Sequence, residues 1–319
     1  MTDRRRINGP LGGTAPPVFV SSLTSKTTSP AKRTRAPDEL RKIFLKTGLT
    51  PSASGSAYFE LEPSTPTAAS ECLASKAPAL KLTCTVHGPR PLPRSAPFSP
   101  QLLLSTRIKF APFAARQRRG YIPNVGERDL AAHLETALRG VLIGERWPKS
   151  GIDVVITVLE GEEDNSWNKG QSGESGRTGG WGMMSILSGC ITVASAAIID
   201  AGIDCIDLVT GGVAAVVRQP TAPPQVFLDP CPSDHEEIFA ACVIGYLQTR
   251  DEITELWTKR SIMASTDDNR ANTMEFEPLV DQAVEAAVAA RLVLIEAIKE
   301  STEVKVQTSQ FGHPKNAAS

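Results

Sequence analysis

Apolar positions along the chain follow two rhythms. Lys81–Arg90 (KLTCTVHGPR) and Ile152–Glu160 (IDVVITVLE) are short runs of apolar and β-branched residues, closed by Gly/Pro or by Gly/acidic breakers. Runs of that length and closure predict strands. Leu102–Phe110, Val213–Arg218, Val226–Asp229, Cys242–Leu247 and Ile253–Lys259 are further strand candidates, with Gln248–Glu252 as a hairpin turn between the last two. Ile191–Ile203 (ITVASAAIIDAGI) reads as a buried helix of small residues that stops at Gly202. Helical spacing also appears in Glu127–Arg146, where Leu130, Leu134, Leu138, Val141 and Leu142 share one face. Trp147-Pro148 is expected to end that helix, because a residue before proline avoids helical angles. The clearest helix is Glu277–Lys299, with an apolar stripe from Leu279 through Ala283 and Ala287 to Ile298. A helix followed closely by a strand is the local sign of a layered α and β fold.

Between these elements lie segments without periodicity. Residues 1–36 are rich in Pro, Ser, Thr and Gly and hold few large apolar residues, so they read as a disordered basic tail. Within that tail Lys32-Arg33-Thr34-Arg35 is a basic cluster, either a nuclear-import or RNA-touching patch or a solvated linker. Residues 162–182 are Gly, Ser, Asn and acidic, and read as an inserted surface loop. The acidic run Glu162-Glu163-Asp164 at its edge is expected to be a solvated turn. Residues 302–319 are polar and read as a disordered C-terminal tail. Residues 37–301 then form one domain, and no period of 20–50 residues repeats within it.

Composition narrows the function classes. A chain of 319 residues, 41% hydrophobic and 22% charged, is ordinary for a globular protein with one large core. No apolar run reads as long enough to cross a bilayer, and no apolar segment follows the basic Met1–Arg6 as a secretory signal would require. The six cysteines, at 72, 84, 190, 205, 231 and 242, form no Cys-x-x-Cys, and the four histidines give no zinc spacing. Buried thiols in a reducing compartment, with no metal and no cofactor, are therefore expected. Gly180-x-Gly182-x-x-Ser185 superficially matches a dinucleotide fingerprint, but no strand immediately precedes it. Net charge is −1, yet residues 1–128 carry an excess of 13 positive charges and the remainder an excess of 14 negative ones. Such asymmetry marks a side facing a polyanion or acidic partner, or else two halves whose charges meet in the fold.

A strand ending His-Gly-Pro-Arg, a strand ending in an acid, and an Ala-rich helix ending Asp-Ala-Gly-Ile together resemble the RNase PH family of phosphate-dependent 3′→5′ exoribonucleases. Phe44–Glu60 looks like that family's opening Gly-x(n)-Gly-Ser-x-Tyr strand, and Gln225–Pro230 like its Leu-Asp strand before the active site. The likeness spans roughly residues 38–300. It implies an α+β fold, RNase PH-like (ribosomal protein S5 domain 2-like), a two-layer β/α domain with pseudo-repeated halves.

The resemblance also shows what is missing. Phosphorolysis needs phosphate held at a helix start and a carboxylate or carboxylate-bound metal at the leaving oxygen. Counting back from Asp200-Ala201-Gly202 brings the family's phosphate turn onto about Met183–Ser188, where Ser185 and Ser188 are the only donors and bulky residues replace glycines. Counting forward from Leu228-Asp229 brings the family's two aspartates onto His235 and Ala241. Neither suits a hard cation, which wants oxygen ligands. A one-residue slip brings in Asp234, beside Glu236 and Glu237, but residues 238–243 are all apolar and supply no second acid.

That pattern is similar to the catalytically silent RNase PH-like subunits of the RNA exosome ring, so no catalytic residue is expected. By resemblance the partners are other RNase PH-like subunits in a hexameric ring, S1/KH cap subunits, a hydrolytic nuclease subunit and RNA, in nucleus, nucleolus and cytoplasm. Candidate RNA contacts are Arg90, Arg94, Arg107, Lys109, Arg116, Arg118 and Arg119, the last two beside Tyr121. Solvated cations or ion pairs to a neighbouring subunit are the plain alternative for each. Two rival functions stay open at this point: an active phosphate-dependent exoribonuclease, and a stand-alone RNA-binding module.

Overall fold

The computed structural model describes residues 33, 35–63, 79–114, 120, 122–162, 180–219, 222–232, 234–235, 238–260 and 276–311. Two sheets and three helices account for most of them. The first sheet has the order β1-β2-β3-β5-β4, built from β1 (Ile43–Thr47), β2 (Gly55–Leu61), β3 (Leu80–Pro91), β4 (Leu103–Phe110) and β5 (Ser150–Glu160). Neighbours run antiparallel except β4 and β5, which are parallel and joined through α1 (Val125–Arg139). The second sheet is antiparallel, order β7-β6-β8-β9, from β6 (Val209–Gln219), β7 (Ala222–Leu228), β8 (Ile238–Leu247) and β9 (Glu252–Arg260). Helix α2 (Gly182–Asp200) links the sheets in sequence, and α3 (Glu277–Phe311) follows the second. This is the α+β architecture expected, with two sheet-and-helix halves.

Burial explains each pattern. In β3 and β5 every second residue is buried (Leu82, Cys84 and Val86; Ile152, Val154, Ile156 and Val158), so only one face of the first sheet meets the core. All ten residues of β8 are buried, because α2 covers one face of the second sheet and α3 the other. Adjacent glycines make that double packing possible. A Cβ on Gly211 would lie 2.2 Å from Ser188 O on α2, and one on Gly212 would lie 1.9 Å from Ala283 O on α3. Burying Ile186, Leu187, Ile191 and Ile198 of α2 contributes about 1.5–3 kcal/mol each.

Several elements differ from expectation, for local reasons. Phe44–Glu60 forms two strands, because Gly48 takes a φ of 75° and starts the turn that reverses the chain. Helix α1 ends at Arg139, capped by Gly140, and does not run on to Trp147. Leu142 instead bridges Cys205, and a separate 3-10 turn spans Gly144–Arg146. The start of α1 is held by a capping box between Asn124 and Glu127. Helix α2 begins nine residues before Ile191, taking Gly182 out of the expected loop. At 19 residues it has the length and apolarity of a membrane-crossing helix, which the sequence reading does not credit; 83% of its apolar window is buried between the sheets. Helix α3 passes Thr302 and reaches Phe311, where a tail is expected.

Candidate functional site

The chain brings its buried charges together where β7 ends against α2. Asp229 follows β7 with a φ of 46°, and its N–H donates to Val213 O at 3.0 Å. That turn points its carboxylate inward, onto Arg41 just before β1. Arg41 Nε and Nη2 donate to the two Asp229 oxygens at 2.6 Å each, and Arg41 N–H adds a third bond at 3.1 Å. The remaining Arg41 nitrogen, Nη1, pairs with Glu162. Both side chains of that pair are fully buried. The forked guanidinium suits two carboxylates at once, as the compact lysine ammonium would not.

Two further arginines close the cluster. Arg35 reaches Asp229 at 3.3 Å and Asp234 at 3.8 Å. Arg33 donates to Leu228 O, Ala36 O and Glu39 O at 2.8–2.9 Å and lies over the Phe227 ring. Pro37 O accepts from Leu228 N at 2.8 Å, so this segment is strapped along the end of β7. Two guanidinium groups thus pair with three carboxylates, and the third, of Arg33, binds carbonyls beside them. Burial alone would raise the Asp229 carboxyl, but the charge and hydrogen bonds of Arg41, with Arg35, hold it down at about 2. For Glu162 burial prevails over Arg41 and leaves the carboxyl raised. Arg41 stays protonated, since Asp229 and Glu162 outweigh its burial.

The expected phosphate turn is the first turn of α2. Trp181 precedes it with no side-chain cap. Ser185 Oγ donates to Pro230 O at 3.3 Å. Glu162 itself lies against that turn: a Cβ on Gly182 would be 3.4 Å from Glu162 Cβ. The Glu162 backbone and Cβ therefore pack on the helix start, while its carboxylate turns to Arg41.

The residues at the expected acidic positions do not form a pair. Ala241 is a buried residue of β8, opposite Ala215 in the sheet. His235 sits 5.1 Å from the Phe227 ring, and burial, then Arg33 and Arg35, lower its pKa to about 4. Among the described residues, this imidazole beside two guanidinium groups has no metal-holding partner. Asp234 faces Arg35. Among the described residues no group of three or more His, Cys, Asp or Glu is placed to hold a metal ion. Glu236 and Glu237 lie outside the described residues.

The candidate RNA contacts are placed elsewhere. Arg90 is exposed at the end of β3 and pairs with Asp153, while Arg94 is exposed beyond that strand. Arg107 is exposed on β4, and Lys109, half-buried two residues on, lies 3.4 Å from Gly120 O. Arg116, Arg118, Arg119 and Tyr121 lie outside the described residues.

Sequence reasoning missed the cluster's main members. Arg33 and Arg35 fall in the segment read as an unpacked tail, and Glu162 in the segment read as a solvated turn, yet Arg35 and Glu162 are largely or fully buried. Arg41 carried no expectation at all. The one usable signal was a charged residue, Arg41, set between Leu40 and the apolar strand that opens at Ile43.

Residues 39–204 match the profile of the 3′ exoribonuclease family, domain 1 (RNase PH). The chain is 50% identical over 301 residues to exosome complex component MTR3 of Chaetomium thermophilum, covering 94% of this chain and 99% of that one. It is 32% identical to exosome complex component mtr3 of Schizosaccharomyces pombe, over 81% of this chain and 84% of the other. The human exosome complex component MTR3 is 27% identical over 80% of this chain and 82% of its own length. Among solved structures, rice Rrp46 superposes with a TM-score of 0.56 at 14% identity, covering 82% of this chain and 96% of that one, a likeness of fold. The profile match, the relatives and the two-sheet architecture agree: the chain belongs to the 3′ exoribonuclease family of RNase PH type.

Proposed function

We propose that the chain is a non-catalytic structural subunit of the RNA exosome core ring, supporting 3′→5′ RNA processing and degradation through scaffolding and RNA binding. The observation that carries this reading is the Arg41 cluster. The two carboxylates that meet behind the start of α2, Asp229 and Glu162, both bind Arg41. The two positions matched to the family's aspartates hold His235 and Ala241, and the buried guanidinium and the acids beside it neutralise each other in the core. Displacing either would leave uncompensated charge in the core. Names of the relatives support the same reading, since three of them are MTR3 components of the exosome complex.

Function then depends on assembly with other RNase PH-like subunits, S1/KH cap subunits and a hydrolytic nuclease, handling RNA in nucleus, nucleolus and cytoplasm, including rRNA maturation and mRNA decay. Two measurements test it. A tagged full-length chain isolated from its own cells should retain RNase PH-fold subunits through salt washes. The purified chain, given RNA, phosphate and Mg²⁺, should release no nucleoside diphosphate. Phosphate-dependent release that disappears in Asp229→Asn would overturn the reading in favour of an active phosphorolytic nuclease.

A further inference from the structure

The first sheet has one face in the core; among the described residues the other is partly exposed and carries no helix, and is called the open face. Its register lays out what that open face presents. Lys46, Tyr58, Thr83, Thr157 and Lys109 lie opposite one another in a single row that crosses all five strands. Strand spacing of about 4.8 Å makes this row roughly 19 Å long. It carries cations at both ends, a phenol and two hydroxyls between. Arg107 is exposed one row along, opposite Val155, and Phe44 is 55% exposed, edge-on to Tyr58 at 6.2 Å.

The acids on this face are already matched. Glu60 and Glu160 flank Lys81 at 3.8 and 3.0 Å, and Asp153 pairs with Arg90. Lys46 and Arg107 have no acid opposite them in register. Among the described residues the face therefore carries Lys46 at one edge and Arg107 towards the other without an opposing acid in register, hydrogen-bonding hydroxyls in the middle and an exposed aromatic ring. A hydrophobic protein interface would be rich in large apolar side chains, and the middle of this row has none. Cations for phosphates, hydroxyls for sugar and base edges, and an aromatic for base stacking are the chemistry of single-stranded nucleic-acid recognition on an open sheet.

We propose that the open face of the first sheet is a binding surface for single-stranded RNA, with the strand running across the β-strands along the Lys46–Lys109 row. The choice of RNA over DNA rests on the exosome reading above; the surface itself does not. The full-length chain, mixed with a short uridine-rich RNA carrying 4-thiouridine and irradiated, should crosslink within β1 and β2, at peptides holding Phe44 or Tyr58. The Lys46→Glu/Arg107→Glu variant should bind the same RNA at least about tenfold more weakly, and its log affinity against log salt should flatten by about 1.4, at about 0.7 per phosphate contact on a single strand. Phe44→Ala should weaken binding about fivefold or more with the salt slope unchanged. Crosslinks that avoid β1 and β2 in the unaltered chain would overturn the proposal whatever the variants do. So would a charge-reversed chain that keeps its RNA affinity but loses its RNase PH-fold partners, which would show the face to be a protein contact. Retained partners with lost RNA binding support it, and lost partners in the unaltered chain would count against the ring reading alone.

Discussion

At the scale of residues, the determining feature is how Arg41 is matched. Its fork satisfies Asp229 through two side-chain bonds and Glu162 through a third. Arg41→Met would leave Glu162 buried without its cation and Asp229 with only Arg35 and a backbone N–H, at a cost of about 3–5 kcal/mol. Urea unfolding at pH 7 would measure it. Adding Asp229→Asn and Glu162→Gln to that variant should restore much of the loss, because the uncompensated charges go with it. His235 supplies a pH signature. Its folded pKa of about 4 lies below the ordinary 6.5 because burial, then Arg33 and Arg35, disfavour its charged form. As pH falls from 6.5 to 4 the unfolded chain takes up the proton first. The stability from a neutral His235 is thus complete above pH 6.5 and is lost towards pH 4, by about 2–3 kcal/mol. Urea midpoints of the parent and His235→Gln, compared at pH 7 and 4.5, should show a steeper acid loss in the parent. Equal losses would mean the imidazole is not held neutral.

At the scale of elements, close approach decides more than hydrophobic area. Gly212→Ala would drive a methyl group into Ala283 O, 1.9 Å away, and that oxygen belongs to a helix backbone that cannot yield locally. We expect a loss of more than about 2 kcal/mol and a lowered Tm, the overpacking penalty with a backbone partner. The far end of α3 behaves differently. Beyond Ser301 its described side chains are exposed, and the ion pair among them, Lys305 to Asp200 at 2.6 Å, joins a half-exposed lysine to a carboxylate that the Ser56 N–H also serves. Truncation after Ser301 should cost less than about 1 kcal/mol, so the melting curve should barely move. A large drop would show that the extension packs against something that holds the fold.

For the molecule as a whole, the lopsided charge has a structural answer. Arg35, Arg41, Lys81 and Arg90, from the basic part of the chain, pair with Asp229, Asp234, Glu162, Glu160 and Asp153 from the acidic part. Part of the asymmetry is thus internal complementarity between the two halves. What remains outward is the open sheet face and the outer strand β9, where Ile253 and Leu256 are 43% and 50% exposed. An exposed strand edge with apolar side chains is a pairing site. On the ring reading, Leu256→Lys should weaken capture of RNase PH-fold subunits while changing the chain's own stability by no more than about 0.5 kcal/mol. Capture that is unaffected would place the subunit contact on another surface.

The sequence by itself determined the strands β3, β4, β5, β6, β7, β8 and β9 and the core of all three helices. Each is written in a local period: alternation where one face is buried, unbroken apolarity in β8, and helical spacing in α1 and α3. It also determined the absence of an acid at position 241 and the family resemblance, because both are matters of residue order. Only the tertiary structure decided that Arg41, Asp229 and Glu162 form one site, since they are separated by 188 and 121 residues and no period connects them. It decided likewise that Arg33 and Arg35 pack, though their neighbours in sequence are those of a tail. Buried charge is satisfied by whatever the fold brings within a few ångströms, and that distance is set by how the two sheets close on α2.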